Sequence, residues 1–198
     1  MLYLNEFAKE VHAVAVEHGW WEGEENNDID TKIALIHAEW SEALEEYRAG
    51  RPMVWFECTY DGSVCSDDVV CDHLVGNDCD CGNRYDKPEG IAVELVDGCI
   101  RIMDLMAAKG MEAYSGDSIA EVERSLPQLV AMLHYATAMA GCDLGLYARE
   151  DEAENWLCSC IVIVREWLEE QGVDMDEILR LKHEYNKTRP YRHGGKRC

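Results

Sequence analysis

The sequence predicts an all-α protein, a single domain over residues 1–198 with a four-helix-bundle-like architecture. Apolar residues recur with the helical period of 3.6 in several long segments, and the alternation typical of strands is nearly absent. The composition, 47% hydrophobic and 29% charged, is typical of a globular domain large enough to bury a substantial core. A cysteine-rich segment at about 52–88 interrupts the helical pattern and is interpreted as an insertion.

The first two helices are predicted at 2–19 and 31–50, each with its apolar residues on one face. Thr31 is predicted to cap the second helix, and Gly50 to end it. The turn between them contains Trp20 and Trp21, which we expect to cover the core, with stacking of a base as the alternative. The apolar stripe of the second helix is Ile33, Ile36, Trp40, Leu44 and Tyr47.

The cysteine-rich insertion contains one good strand candidate, Val54–Cys58, and little helical pattern. Thiolates and an imidazole this close in sequence can bind Zn²⁺ tetrahedrally, which predicts a structural zinc site. The spacing is not the paired C-x₂-C type, so a loop of free thiols is the alternative. The candidate ligands are Cys58, Cys65, Cys71, His73, Cys79 and Cys81.

Further helices are predicted at 90–110, within 118–142, at 150–171 and at 174–185. Pro127 either starts the main helix of the 118–142 segment or bends it. The helix at 90–110 is apolar almost all the way round, which predicts a central position in the fold.

A faint internal repeat relates the helix pair 31–50 and 90–110 to the pair 126–142 and 153–171. The acidic residues of the first pair have no counterparts in the second, so the second pair is interpreted as a degenerate scaffold. The alternative is that any two buried helices look alike.

Two acidic pairs provide the strongest chemical signal. Glu39 and Glu42 are three residues apart on one helix, and Glu94 and Asp97 are three apart on another, so each pair shares a helical face. If the two faces meet, four carboxylates form a cluster that repels itself unless it binds protons or a hard cation such as Mg²⁺. The alternative is that both pairs are solvated helix edges.

The net charge of −22 argues against binding a nucleic acid polymer or an anionic membrane surface. Basic residues concentrate in 180–198, which indicates a local anion site or a charged tail. We expect a cytoplasmic protein with reduced thiols, because the start of the chain shows no secretory signal pattern. The apolar run Leu126–Cys142 is predicted to be a buried helix rather than a membrane span.

Three motifs occur in the order E-x-x-E, E-x-x-D and K-x-x-Y-N-x-x-R, covering about half the chain with their surroundings. Together they resemble the MazG-like nucleotide pyrophosphohydrolases, of the all-α NTP pyrophosphatase superfamily that includes the dimeric dUTPases. Glu39 and Glu42 match two acids of the first motif, while Ala38 stands where a glutamate is usual. Glu94 and Asp97 match the second motif. The third is matched by Lys182, Tyr185, Asn186 and Arg189.

The resemblance implies Mg²⁺-dependent hydrolysis of nucleoside triphosphates to monophosphate and pyrophosphate, in nucleotide pool sanitation or dNTP control, with Mn²⁺ as a possible substitute. Glu39, Glu42, Glu94 and Asp97 would bind the metal, and Glu39 and Glu42 would be catalytic, Glu42 by orienting or deprotonating the attacking water. Phosphate and sugar oxygens would contact Lys182, Tyr185, Asn186 and Arg189. Lys32 is an alternative phosphate contact, although we expect a solvated lysine.

Two departures from the family pattern leave alternatives open. The gap from Glu42 to Glu94 is long, and residues 111–153 separate the second motif from the third, so the basic motif acts either in the same subunit or in the partner of a homodimer. A degenerate relative that binds nucleotide or metal without turnover is one alternative function. A zinc-stabilised helical adaptor is the other.

Overall fold

The computed structural model describes residues 3–23, 28–57, 64–65, 87–114 and 124–192, with the backbone alone for 64–65. This part of the chain contains six α-helices and one small sheet, which confirms the all-α class. The helices are α1 (Leu4–Glu17), α2 (Ile29–Arg48), α3 (Ile91–Lys109), α4 (Leu126–Cys142), α5 (Glu150–Glu170) and α6 (Met175–Thr188).

Helix α3 lies at the centre of the fold, as its apolar surface predicts. It packs against α1, α2, α5 and α6, and most of its residues are buried. Gly98 permits close packing with α2, because a Cβ atom there would lie 2.2 Å from the indole ring of Trp40. The Trp40 Nε1 donates a hydrogen bond of 2.9 Å to Thr137 Oγ1, which joins α2 to α4.

The predicted helix ends need one correction. Asp28 rather than Thr31 is the N-cap of α2, and its carboxylate accepts hydrogen bonds from the backbone N–H and the hydroxyl of Thr31, each 3.0 Å long. A cap residue bonds to the N–H of the residue three positions later, so the two polar residues are easily exchanged in a sequence pattern. Gly50 follows α2 with a φ of +68°, as expected for a helix stop.

Helix α4 begins at Leu126 with Pro127 in its first turn, so the proline starts the helix and does not bend it. The Ser125 backbone N–H donates to the Gln128 side-chain carbonyl at 3.0 Å. Residues 118–123 of the predicted segment lie outside the described residues. Helix α6 continues three residues beyond the predicted end at 185.

Three short strands form an antiparallel sheet in the order β2-β1-β3: β1 (Trp55–Glu57), β2 (Val64–Cys65) and β3 (Lys87–Glu89). The predicted strand Val54–Cys58 is confirmed in β1. Strand β3 was not predicted because it is short and contains a proline, which an edge strand tolerates. It leads directly into α3, and so positions the first acidic turn of that helix.

Gly90 links β3 to α3 with a φ of +114°, a conformation that side chains rarely adopt. A Cβ atom at this position would lie 2.6 Å from the carbonyl oxygen of Met53, so the close approach also requires glycine.

Helix α2 packs on α4 and α3 packs on α5, so the two helix pairs of the predicted repeat lie against each other. The common origin of the pairs remains a prediction. A π-helical turn, Asp143–Tyr147, continues α4. Among the described helices, this combined segment Leu126–Tyr147 alone is long and apolar enough to cross a membrane, with a mean hydropathy of 1.3. Core helices of soluble proteins pass the same test, and seven residues of α4 are buried against its neighbours. The compartment remains a prediction.

The proposed zinc ligands fall largely outside the described residues. Cys58, Cys71, His73, Cys79 and Cys81 lie there, and Cys65 is described only as backbone in β2. Four other cysteine side chains are described as free thiols: Cys99, Cys142, Cys158 and Cys160.

Candidate metal-binding cavity

A cavity of about 310 Å³ opens between α1, α2, α3 and α6. The acidic stripes predicted on α2 and α3 both face it. Residues from the basic motif on α6 line it as well, so acids and bases from three motifs that are distant in sequence share one concave surface.

Three carboxylates converge in this cavity. Glu39 of α2 and Glu94 and Asp97 of α3 each place an oxygen within 4.8 Å of the other two. Glu39 and Glu94 are buried, and Asp97 is nearly so. Three hard oxygen ligands this close can hold a metal ion, because a cation relieves the repulsion between them.

Arg101, one turn after Asp97 on α3, neutralises part of this charge. Its Nε donates a hydrogen bond of 2.5 Å to Glu39 Oε1. Burial and the neighbouring Asp97 nevertheless raise the pKa of Glu39 to about 7, against the opposing effect of Arg101. Glu39 is 62 residues from Arg101 in the sequence, so no local spacing indicated this pair.

Lys182 of α6 is the second cation of the site. Its side chain is 2% exposed, and its Nζ lies 3.3 Å from Asp97 Oδ2. Burial acts to raise the pKa of Asp97, but Lys182 and Arg101 outweigh it and hold that pKa below its ordinary value. The basic motif therefore reaches the acids within one chain.

Glu94 has the most strongly raised pKa of the three carboxylates. Burial raises its pKa to about 9, and a hydrogen bond with Glu89 favours the protonated form, although Lys182 opposes the shift. Glu89 forms a salt bridge with Lys87 of β3. The Glu94 carboxyl is therefore protonated at neutral pH. A bound cation would compete with this proton for the same oxygens.

The remaining predicted residues surround this cluster. Glu42 lines the cavity one turn further along α2, but it is exposed and lies outside the three-carboxylate set. Asn186 and Arg189 line the cavity beside Lys182. Tyr185 is not among the described lining residues; its ring centroid is 5.8 Å from the Arg189 guanidinium carbon.

The other end of the cavity contains residues whose contacts the sequence did not reveal. Lys32 is buried rather than solvated, so that expectation is wrong: its Nζ donates to the Trp20 carbonyl at 2.9 Å and lies 4.0 Å from the Trp21 ring centroid. Trp21 in turn donates to Asp104 of α3, which also contacts His12 of α1.

Comparison with known protein families, curated proteins and solved structures finds no match. The geometry of the cavity therefore carries the functional information. The three candidate ligands of the cavity are all carboxylates, and two of them have raised pKa values. Because this set includes no thiolate or imidazole, which softer metals prefer, it fits a hard divalent cation.

Proposed function

We propose that the protein is a Mg²⁺-dependent nucleoside triphosphate pyrophosphohydrolase that releases nucleoside monophosphate and pyrophosphate. One observation supports this most: three converging carboxylates share a cavity with Lys182, Asn186 and Arg189. Acids that bind a cation and bases that bind anions are both required to hold a metal–triphosphate, whereas a simple solvated edge requires neither. Nucleotide pool sanitation or dNTP control are the cellular roles in keeping with this activity.

Glu39, Glu94 and Asp97 would hold the metal, and Glu42, which lines the same cavity from α2, would contribute through a water. When bound, Mg²⁺ supplies charge neutralisation at the phosphates and acidifies water, and Mn²⁺ can replace it. Glu94 must lose its proton to take part, so metal binding is expected to release a proton and to strengthen as pH rises.

The basic residues would bind the triphosphate. Lys182 of α6 and Arg189, which directly follows this helix, line the cavity, where charge-assisted hydrogen bonds to phosphate oxygens are strong. Arg101 donates a hydrogen bond to Glu39 in this structure, and its guanidinium would be free to bind a phosphate if Glu39 held a cation instead. Asn186 offers an amide to a phosphate or sugar oxygen.

Glu42 would act on the attacking water, because its exposed carboxylate lines the cavity one turn along α2 from Glu39. Water attacks the α-phosphorus, its proton passes to the carboxylate, and the bond from the α-phosphorus to the bridging oxygen breaks. Pyrophosphate leaves with the electron pair of that bond, and the monophosphate remains.

A pyrophosphate-release assay over a panel of nucleoside triphosphates, with Mg²⁺ or Mn²⁺, tests the proposal. Glu39→Gln and Asp97→Asn are expected to lower turnover at least about 100-fold, because each removes a metal ligand. Glu45→Gln is the matched control, an exposed acid of α2 that pairs only with the surface residue Arg48 among its described contacts. No pyrophosphate from any nucleotide, by protein whose folding is verified by circular dichroism, contradicts the proposal.

A nucleotide-binding protein without turnover is the second candidate. It is favoured by Ala38, which replaces the usual first glutamate, and by the Arg101–Glu39 hydrogen bond, which occupies a proposed metal ligand. Calorimetry that detects binding of a triphosphate without product formation would support it. A zinc-stabilised adaptor would instead show zinc on metal analysis and no change in Tm with Mg²⁺ or nucleotide.

A further inference from the structure

The cavity extends beyond the three carboxylates to a second end. Asp97, Arg101 and Asp104 of α3 are spaced i, i+4 and i+7 and all line it. Asp104 therefore lies about 10 Å further along the helix than Asp97, from the rise of 1.5 Å per residue. This span is comparable with a nucleoside 5′-phosphate measured from its phosphate to the far edge of its base.

Apolar side chains line the cavity together with Asp104. Val11, Val14 and Ala15 of α1 contribute apolar surface, and Trp20 and Leu35 line the same cavity. An apolar slot with a few fixed polar groups is the usual form of a small-molecule subsite.

Asp104 is the fixed polar group in this slot. Trp21 Nε1 donates to both of its oxygens, at 2.8 and 3.1 Å, and His12 Nδ1 lies 2.7 Å from Oδ1. The side chain is 14% exposed and faces the cavity. A carboxylate has roughly four acceptor sites, so these three contacts orient Asp104 and leave it able to accept from a ligand.

The residues that hold Asp104 are themselves held. The rings of His12 and Trp21 are in edge-to-face contact with centroids 5.1 Å apart. Lys32 lies over the Trp21 ring and donates to the Trp20 carbonyl. A hydrogen-bond acceptor fixed from two sides in this way is prearranged for recognition and needs little reordering on binding.

We propose that this end of the cavity is a nucleobase subsite, in which Asp104 selects bases that carry an exocyclic amino group. The inference rests on the proposed function, which places the triphosphate at the three carboxylates. Cytosine, adenine and guanine present amino N–H donors that a carboxylate accepts. Uracil and thymine present carbonyl oxygens at the corresponding edge, and two acceptors facing each other repel.

Matched nucleotide pairs that differ in one group test this subsite. We expect kcat/KM to be at least about tenfold higher for CTP than for UTP and for GTP than for ITP, as for one charge-assisted hydrogen bond. Asp104→Asn presents an amide donor as well as an acceptor, so both ratios should fall at least about tenfold. Asp151→Asn, an exposed aspartate in the first turn of α5, is the control and should leave both ratios unchanged.

The ratio within one variant does not depend on the fraction of folded protein, so partial misfolding does not mimic the result. Equal rates for CTP and UTP, or ratios that Asp104→Asn leaves unchanged, would overturn the base subsite while leaving the proposed hydrolysis intact. If no nucleotide is hydrolysed, the proposed function fails. The same pairs, as α,β-methylene analogues in calorimetry, then test the subsite by their dissociation constants, with the same ratios expected and equal affinities overturning it.

Discussion

Replacing Lys182 with methionine removes a buried charge while keeping an apolar stem of similar length. The Lys182 side chain is 2% exposed, and its Nζ is 3.3 Å from Asp97. Breaking a buried ion pair by removing one partner costs about 3–5 kcal/mol, because the other charge stays buried without compensation. Arg101 still acts on Asp97, so we expect a loss near the lower end, about 3 kcal/mol in the free energy of unfolding.

Lys187→Met is the matched control on the same helix. Lys187 is 41% exposed and pairs with Glu184 at 2.5 Å, an i,i+3 surface pair whose loss should cost about 0–1 kcal/mol. Urea unfolding in EDTA at pH 8 measures both variants. Equal losses for the two lysine variants would refute the argument that Lys182 compensates a buried carboxylate.

The sign of the pH effect gives a second readout for Lys182→Met. Lys182 lowers the pKa of Asp97 in the folded protein. The ion pair therefore stabilises the protein at pH values above 3.8, the ordinary pKa of aspartate, and this stabilisation is lost as the pH falls through the lowered pKa. Without Lys182, the pKa of Asp97 should rise, because burial is then opposed by fewer positive charges, and Asp97 should take up a proton more readily. The loss should therefore shrink from pH 8 towards pH 4, and Mg²⁺ should recover part of it at pH 8. A loss independent of pH would contradict this reasoning.

Three further predictions concern Glu94, Gly98 and Arg101. The pKa of Glu94 is raised from 4.5 to about 9 in the folded protein, so the metal-free protein should lose stability as the pH rises from 4.5 to 9. The Tm measured in EDTA should fall over this range in the wild type and fall much less in Glu94→Gln. Gly98→Ala places a methyl group against Trp40 and should lower the free energy of unfolding in urea by about 1–3 kcal/mol, even after the better helix propensity of alanine is included. An unchanged unfolding midpoint would contradict the close packing. Arg101→Gln should raise KM for nucleotide several-fold if its guanidinium binds phosphate, whereas a purely structural role would lower Tm and leave KM unchanged.

Local patterns predicted much of the fold and of the acidic site. The 3.6-residue period located five helices to within a few residues, and the i, i+3 spacing placed Glu94 and Asp97 on one face of α3. The apolar surface of that helix indicated its central position. These features depend on neighbours within two helical turns, which a single sequence records.

Contacts between distant segments explain what the sequence did not predict. Arg101 and Glu39 are 62 residues apart, and Trp21 and Asp104 are 83 apart, so no local spacing links them. Lys32 was expected in solvent because lysine is rarely buried, and its contacts with Trp20 and Trp21 form only when the chain packs.

The central claim is that Glu39, Glu94 and Asp97 hold a divalent cation beneath a triphosphate. Mn²⁺ titration followed by electron paramagnetic resonance, with an α,β-methylene nucleoside triphosphate present, tests it directly. We predict saturable Mn²⁺ binding that strengthens with the nucleotide, persists in Glu45→Gln and is lost in Asp97→Asn. Absence of saturable binding, or binding that Asp97→Asn leaves unchanged, would contradict the claim.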